Sequence, residues 1–131
     1  MAATQQKTLK KKKIIRVVTN ARVYIQSSFN NTIVTVTDMV GNVLSWSSSG
    51  HNAFKGARKA TPYAAQVTLK TALDKAEPYN IQTVDVLVSG VGSGREAAVR
   101  GFKGSNITVN SIKDTTPIPH NGCRPKKPRR V

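Results

Sequence analysis

The sequence is short of cysteine, of acidic side chains and of long apolar runs. Cys123 is the only cysteine among 131 residues, so no intramolecular disulfide can form, which is compatible with a reducing compartment. No span approaches the roughly 18 apolar residues that a transmembrane helix needs. The basic runs also hold almost no bulky apolar residues that could insert into a membrane surface. We therefore expect no membrane association.

The few acidic residues are too scattered to suggest an active site. A metal-dependent nuclease needs three or four carboxylates that converge on two metal ions about 3.5 to 4 Å apart. His120 and Cys123 have the spacing of half a zinc site, but His51 is the only other histidine and there is no second cysteine. We therefore expect a non-enzymatic protein with no metal and no cofactor. The six acids are Asp38, Asp74, Glu77, Asp85, Glu96 and Asp114.

Positive charge is abundant and lies mostly at the two ends of the chain. Of 21 Lys and Arg residues, six fall in 1–16 and five in 120–131, and the net charge is +15. Residues 17–119 hold ten basic and all six acidic side chains, a balance of only +4. Charged ends on a nearly balanced domain are typical of a protein whose ends run over a polyanion, most commonly nucleic acid. We divide the chain into a basic arm (1–19), a domain (20–113) and a basic tail (114–131).

The patterning of the domain predicts an α/β fold with five strands and two helices. The predicted strands alternate polar and apolar residues or are rich in β-branched residues, and the fourth, the most apolar, is expected to be central. The order β-β-β-α-β-α-β implies a ribonuclease H-like α/β sandwich with a mixed sheet, in which strands one, four and five are parallel neighbours. The strands are predicted at 22–28, 32–38, 43–49, 83–89 and 106–113, and the helices at 62–77 and 94–103.

Local signals mark where the two helices begin. Thr61 is predicted as an N-cap with Pro62 at the first helical position, and Ser93 with Glu96 is predicted as a capping box for the second helix. Spacing predicts which side of each helix is buried. The first helix is expected to bury Ala65, Leu69, Ala72, Leu73 and Ala76, and the second Ala98, Val99 and Phe102.

Two loops that precede helices have the composition of anion sites. Lys55, Arg58 and Lys59 precede the first helix, and a glycine-rich turn at 90–94 followed by Arg95 precedes the second. Amide groups at a helix N-terminus and the positive end of the helix dipole favour phosphate oxygens. The glycine spacing fits neither a dinucleotide fingerprint nor a P-loop, so a plain strand-to-helix turn is the alternative. Phe54, beside the first loop, could stack on a base or pack as a buried anchor.

The tail is built to be extended and cationic. Prolines remove backbone donors and fix φ, so this segment cannot continue a helix or enter the interior of a sheet. Such a ribbon suits a long polyanion, although a disordered solubility tail is the alternative. The prolines are Pro117, Pro119, Pro125 and Pro128, and the cations are Arg124, Lys126, Lys127, Arg129 and Arg130.

Three stretches together resemble the bacterial-type family of small-subunit ribosomal protein eleven. They are Ser28 to Asp38, Phe54 to Gln66 and Asp114 to Pro125, and the likeness runs from about residue 20 to the last residue. The resemblance implies a structural RNA-binding protein of the platform of the small subunit, which holds central-domain ribosomal RNA near the mRNA exit and the E site. It implies small-subunit proteins seven and eighteen as neighbours, and no homo-oligomer. An unprocessed chain on a cytoplasmic ribosome is favoured over an organellar one.

The resemblance also bears on individual residues: two departures, one modification site and the residues that contact RNA. Two departures from the family pattern stand out: Val91 and Ser93 replace prolines and predict a more pliable turn, and Gly101 and Gly104 fall where the second helix usually continues. The dipeptide Asn121-Gly122 is the most favourable for isoaspartate formation, and the resemblance suggests that this asparagine is such a site. The predicted rRNA-binding residues, taken from the resemblance and the two loops, are Lys55, Arg58, Lys59, Arg95, Arg100, His120, Asn121, Arg124, Lys126, Lys127, Arg129 and Arg130.

Two other functions remain open on sequence grounds. One is a small basic nucleic-acid-binding module of the architectural kind that acts outside the ribosome. The other is the metal-dependent nuclease, since the order of elements resembles the ribonuclease H-like arrangement.

Overall fold

Five strands form one sheet, and both helices pack on the same face of it. The computed structural model describes residues 16–130, so the predicted basic arm lies outside the described residues up to residue 15. From Val18 onward the chain contacts the domain, since the Val18 amide donates to the Tyr79 carbonyl at 2.9 Å. The elements are β1 (Asn20–Ser27), β2 (Thr32–Asp38), β3 (Val43–Ser48), α1 (Pro62–Ala76), β4 (Thr83–Gly90), α2 (Gly94–Arg100) and β5 (Thr108–Asp114).

The sheet has the order β3-β2-β1-β4-β5 and is mixed, as predicted. β1 pairs antiparallel with β2 and parallel with β4, and β4 pairs parallel with β5. The prediction that β4 is the central strand is wrong, because β1 holds the centre and β4 lies between β1 and β5. β2 forms a hairpin with β1 and pairs with one edge of it. α1 connects β3 to β4, and β4 pairs with the other edge of β1. This topology sets β1, β4 and β5 side by side with their carboxyl ends together.

The core lies between the sheet and the two helices. Alternate strand residues such as Val23, Val34 and Val86 are fully buried, as the period of two along a strand requires. Leu69 of α1 is fully buried as predicted, whereas Leu73 is only half-buried. Alanines on α1 let this helix lie close to the sheet, and they include Ala64, Ala65, Ala72 and Ala76.

The first helix begins where the sequence predicts and ends one residue earlier, at Ala76. The Thr61 hydroxyl accepts a hydrogen bond from the Ala64 amide at 3.3 Å, and Pro62 occupies the first helical position. A 3-10 turn at Glu77–Tyr79 follows the helix, and Asn80 then adopts a left-handed conformation with φ of 52°. This C-terminal turn directs the chain into β4.

The capping box predicted for the second helix is wrong. Ser93 has helical backbone angles, and its hydroxyl donates to the Ala60 carbonyl instead of capping α2. Glu96 is exposed and only approaches Arg100, at 3.5 Å. Ser93 does not cap α2 because the Ala60 carbonyl, at the end of the loop before α1, lies within hydrogen-bonding distance of its hydroxyl.

The second helix is shorter than predicted. α2 ends at Arg100, and Gly101–Gly104 forms a 3-10 turn. A Cβ on Gly101 would lie 2.7 Å from Leu69 Cδ2, so the missing side chain lets the end of α2 cross close over α1. Of the predicted buried residues, Ala98 and Phe102 are buried and Val99 is half-buried.

Candidate nucleic-acid interface

The carboxyl ends of the three parallel strands bring the predicted binding segments to one end of the molecule. β4 runs into the glycine turn and β5 runs into the tail at this end. The bond between Ser93 and Ala60 also ties the glycine turn to the basic loop. In open α/β sheets this end is where ligands commonly bind. We call it the strand-end surface, formed by the basic loop (54–61), the glycine turn with Arg95 (90–95) and the tail root (114–116).

The basic loop presents its cations to solvent. It forms a 3-10 turn over Gly56–Ala60, in which Gly56 has φ of 61°. Lys55 and Arg58 are exposed and Lys59 is half-buried. Within residues 16–130 the ion pairs involve only Arg95 and Arg100, so none of the three loop cations is neutralised by a carboxylate there. Their charge is available to an anionic partner.

The two aromatic residues near this loop pack on each other. The rings of Phe54 and Tyr63 meet edge to face, with centroids 6.0 Å apart and planes at 81°. Phe54 is half-buried, as expected of an anchor, while Tyr63 is 67% exposed. Of the two roles open to Phe54, the packing role has this contact in its favour.

The glycine turn is packed rather than open. Gly90 has φ of 101°, and a Cβ there would lie 1.8 Å from the Ser27 carbonyl oxygen. A Cβ on Gly92 would lie 2.2 Å from the Ser28 carbonyl oxygen, and one on Gly94 would lie 2.6 Å from Thr32 Oγ1. These glycines let the turn lie directly on the hairpin between β1 and β2. The geometry is that of the plain strand-to-helix turn, and Gly92 and Gly94 are buried.

Arg95 fastens the start of the tail to this turn. Its Nη1 donates to the Gly90 carbonyl at 2.6 Å, and its Nη2 donates to the Asp114 carboxylate. The Gly90 amide donates to the Thr116 hydroxyl oxygen at 3.2 Å. The Thr115 amide also continues the ladder, donating to the Val88 carbonyl at 2.8 Å. These bonds, which we call the tail clasp, fix the direction in which the tail leaves the sheet.

The Asp114 carboxylate is the centre of the tail clasp. Hydrogen bonds from Thr116, whose hydroxyl and amide both donate to Asp114 Oδ1, hold the pKa of this carboxyl far below its usual range, and the bond from Arg95 lowers the pKa further. Asp114 is therefore ionised at neutral pH and keeps the Arg95 guanidinium in place.

Sequence reasoning missed this part of the site. It took Arg95 as an RNA contact and gave Asp114 and Thr116 no role. The structure places the Arg95 side chain, 30% exposed, between the turn and the tail. The spacing Asp-x-Thr, in which a carboxylate accepts from the amide two residues on, is the local signal that could have revealed the tail clasp.

Beyond the tail clasp, the predicted residues are open to solvent. All of 117–130 are exposed, and Asn121 adopts a left-handed conformation with φ of 61°. The Arg100 side chain is 74% exposed, and its 3.5 Å approach to Glu96 is a weak surface pair. The exposed tail cations are Arg124, Lys126, Lys127, Arg129 and Arg130.

The acidic residues serve local structure. The Asp38 carboxylate accepts from the amides of the turn that follows it, and this bonding lowers its pKa, with the Asn42 amide as the main cause. Hydrogen bonds from Asn110 and Ser111 lower the pKa of Asp85.

Within residues 16–130 no three of the His, Cys, Asp and Glu side chains lie together as a metal site. No helix in that range has the length and apolar character to cross a membrane.

The fold and the surface define a small basic α/β protein in which an exposed basic loop and the root of a cationic tail lie at one end of a mixed sheet. The family described as Ribosomal protein S11 matches residues 21–130. The chain is 60% identical over 121 residues to the small ribosomal subunit protein uS11 of Francisella tularensis subsp. novicida, covering 92% of this chain and 94% of that protein. It is 56% identical over 124 residues to uS11 of Borreliella burgdorferi, covering 95% of each. The chain belongs to the ribosomal protein S11 family, whose members are structural ribosomal proteins and not enzymes.

Proposed function

We propose that this chain binds ribosomal RNA of the small subunit through the strand-end surface and the tail. The observation that carries the proposal is that the basic loop, whose cations pair with no carboxylate in the described chain, lies at the same end of the sheet as the root of the cationic tail, whose exit the tail clasp fixes. Exposed Lys and Arg side chains neutralise phosphates and release counterions, which favours binding without base contacts. The RNA is thereby held by charge and shape.

The finer placement follows the family resemblance. We propose that the bound RNA is the central domain, on the platform near the mRNA exit and the E site, beside small-subunit proteins seven and eighteen. The proposed location of the protein is a cytoplasmic ribosome. In this proposal the units are the arm (1–19), the RNA-binding domain (20–113) and the tail (114–131).

The proposed contacts fall into two groups. The first is open charge: all the predicted Lys and Arg residues except Arg95. The second is a bend in the tail at which His120 and Asn121 contact the RNA. Arg95 belongs to the tail clasp in the unbound protein, and its remaining exposed fraction of 30% allows a further phosphate contact.

Asn121 is also proposed as an isoaspartate site. It is exposed, and its left-handed conformation is followed by Gly122, which has no Cβ to hinder attack by its backbone nitrogen. Peptide mass spectrometry combined with an isoaspartate-specific methyltransferase should detect the modified residue. An unmodified Asn121 in assembled particles would contradict this assignment.

The main test removes the charge of the tail while keeping the fold. With Arg124, Lys126, Lys127, Arg129 and Arg130 all changed to alanine, binding to small-subunit rRNA should weaken. The slope of log affinity against log salt should flatten by roughly 3.5 to 4.5, at about 0.7 to 0.9 per phosphate contact. Filter binding across a salt series measures both quantities.

A control and a second measurement separate the alternatives. Alanine at Lys70 and Lys103, which are exposed away from the strand-end surface, should leave the slope nearly unchanged. An unchanged slope in the tail variant would remove the tail from the mechanism. Co-sedimentation of the wild-type chain with small subunits in magnesium distinguishes the ribosomal role from a basic nucleic-acid-binding module outside the ribosome.

A further inference from the structure

Three side chains that the strand-end surface does not use meet at the outer edge of the sheet. Trp46 lies in the edge strand β3, His51 follows that strand, and Lys75 lies in the last turn of α1. The Trp46 and His51 ring centroids are 5.1 Å apart with planes tilted by 49°, and Lys75 Nζ lies 5.5 Å from the Trp46 ring centroid. We call these three residues the edge cluster.

The Lys75 ammonium is held in place within the edge cluster. Its Nζ donates to the Trp46 carbonyl at 3.3 Å and contacts His51 Nε2 at 3.1 Å. An ammonium can only donate, so His51 Nε2 accepts and the imidazole carries its proton on Nδ1. An ammonium has three N–H groups, and these two contacts leave one for a further acceptor. The cation is thus positioned beside the aromatic ring with unused donor capacity.

The Trp46 ring is not a core residue. It is 51% exposed, although its neighbours Ser45 and Ser47 are buried against α1. A packing role alone would leave the largest aromatic side chain of the chain half in water on an edge strand. An exposed flat ring beside a fixed cation is the arrangement on which nucleic-acid bases stack.

The edge cluster adjoins the basic loop and shares its charge. A Cβ on Gly50 would lie 3.7 Å from Lys59 Cδ, so the loop cation Lys59 packs next to the backbone that carries His51. Asp74, the neighbour of Lys75 in the chain, faces away from the cluster, because it lines the groove between the two helices with Arg100. The edge cluster therefore extends the positive charge of the basic loop, and this charge favours an anionic partner over a cationic one.

We propose that the edge cluster binds one unpaired nucleotide of the RNA, with the base stacked on Trp46 and its phosphate hydrogen-bonded to Lys75. The inference rests on the proposed rRNA binding and extends its footprint from the basic loop along β3. Stacking tolerates any base, so this contact favours single-stranded over paired RNA without reading sequence. The competing structural role is a clip that fastens the segment after β3 to α1.

Trp46 provides its own probe, because it is the only tryptophan in the chain. Titration of the full-length protein with oligouridylate should quench its fluorescence, and a duplex RNA of equal length should quench it far less. Trp46→Ala should weaken oligouridylate binding about tenfold, within the range that one base stack contributes. Trp46→Phe, which keeps an aromatic face, should lose less.

Controls address the clip and the charge. Val43→Ala changes another exposed apolar residue of β3 and should leave oligouridylate affinity unchanged. Lys75→Ala should weaken binding more than Lys70→Ala, which removes an equal charge from the same helix. If Trp46→Ala lowers the melting temperature but leaves RNA affinity intact, the cluster is only a clip and the inference is overturned.

The outcomes for this site and for the proposed function are separate. Wild-type protein that binds small-subunit rRNA with unaltered Trp46 emission would overturn the edge cluster as a nucleotide site and leave the proposed function standing. Failure of the wild-type protein to bind that rRNA would overturn the proposed function itself. If Trp46→Ala retains rRNA affinity but loses a protein neighbour from reconstituted subunits, the edge is a protein contact and the inference is again overturned.

Discussion

The two loops that precede helices look alike in sequence and do different work in the structure. Both combine glycine with basic residues ahead of a helix, the composition of an anion site. In the basic loop, Lys55 and Arg58 are exposed, and a Cβ on Gly56 would meet nothing within 4 Å. In the glycine turn, the glycines are pressed against the β1–β2 hairpin, and Arg95 binds a backbone carbonyl and a carboxylate.

The difference teaches what glycine and arginine each signify. A glycine can mark an open, pliable loop or a place where two backbones approach closely, and only the neighbouring surface distinguishes these cases. An arginine can leave its charge free for a binding partner, or it can donate its hydrogen bonds to groups of its own chain. One loop therefore supplies binding charge, and the other supplies the geometry that directs the tail.

The largest predicted effect is a contrast in stability between the two loops. Gly90→Ala should destabilise the protein by about 3 kcal/mol or more, because the new Cβ overlaps the Ser27 carbonyl and the backbone requires φ of 101°. Gly56→Ala shares the positive φ but meets open space, so it should cost only about 1 kcal/mol. Chemical denaturation measures both free energies of unfolding.

Equal losses in the two variants would mean that backbone conformation alone accounts for both glycines. That result would remove the close approach of the glycine turn to β1 as a determinant of the fold. If Gly90→Ala fails to express, a milder comparison uses Gly92→Ala, in which the overlap with the Ser28 carbonyl occurs without a positive φ.

The second prediction concerns binding charge. Changing Lys55, Arg58 and Lys59 together to alanine should reduce the salt slope for rRNA binding by about 2 to 3. The free energy of unfolding should change by only about 0.5 kcal/mol, because none of these side chains is buried or paired with a carboxylate in the described chain. A salt series and a denaturation curve measure the two effects.

Arg95→Ala is the matched contrast to this charge variant. It removes one charge, yet it should disturb the course of the tail through loss of the tail clasp. Its salt slope should therefore fall by about one contact at most, while its affinity falls further than the slope alone accounts for. A slope change as large as that of the triple variant would place Arg95 in the RNA interface as an ordinary phosphate contact and contradict the contrast.

Sequence patterns predicted the fold well because each element is encoded by its own residues. The β-branched run of β2 and the Thr61-Pro62 start of α1 are local signals, and both elements begin where predicted. The errors arose where a distant group competed. Ser93 could not be known to bond with Ala60, 33 residues earlier, and Gly101 could not be known to meet Leu69.

The same distinction holds for the candidate site. The cations of the basic loop and tail were identified from composition, since exposed charge needs no partner to be recognised. The tail clasp and the edge cluster were not, because each joins residues from separate elements. Lys75 reaches back 29 residues to Trp46, and Arg95 reaches ahead 19 residues to Asp114.

The smallest predicted effect is the pH response of the tail clasp. Because Thr116 and Arg95 lower the pKa of Asp114 in the folded protein, the stability that the bonds to this carboxylate contribute is fully present above the unfolded aspartate value of about 3.9 and is lost as pH falls through the lower folded value. The Thr116 amide resonance should thus stay constant from neutral pH to about 4 and shift only in stronger acid. Asp114→Asn should resemble the acid state at neutral pH and weaken rRNA binding less than the triple loop variant does. A Thr116 resonance that titrates near the unfolded aspartate value would instead mean that these bonds do not favour the ionised carboxylate, and the tail would then owe its direction to the bonds of the clasp that do not involve Asp114, such as the ladder bond of Thr115.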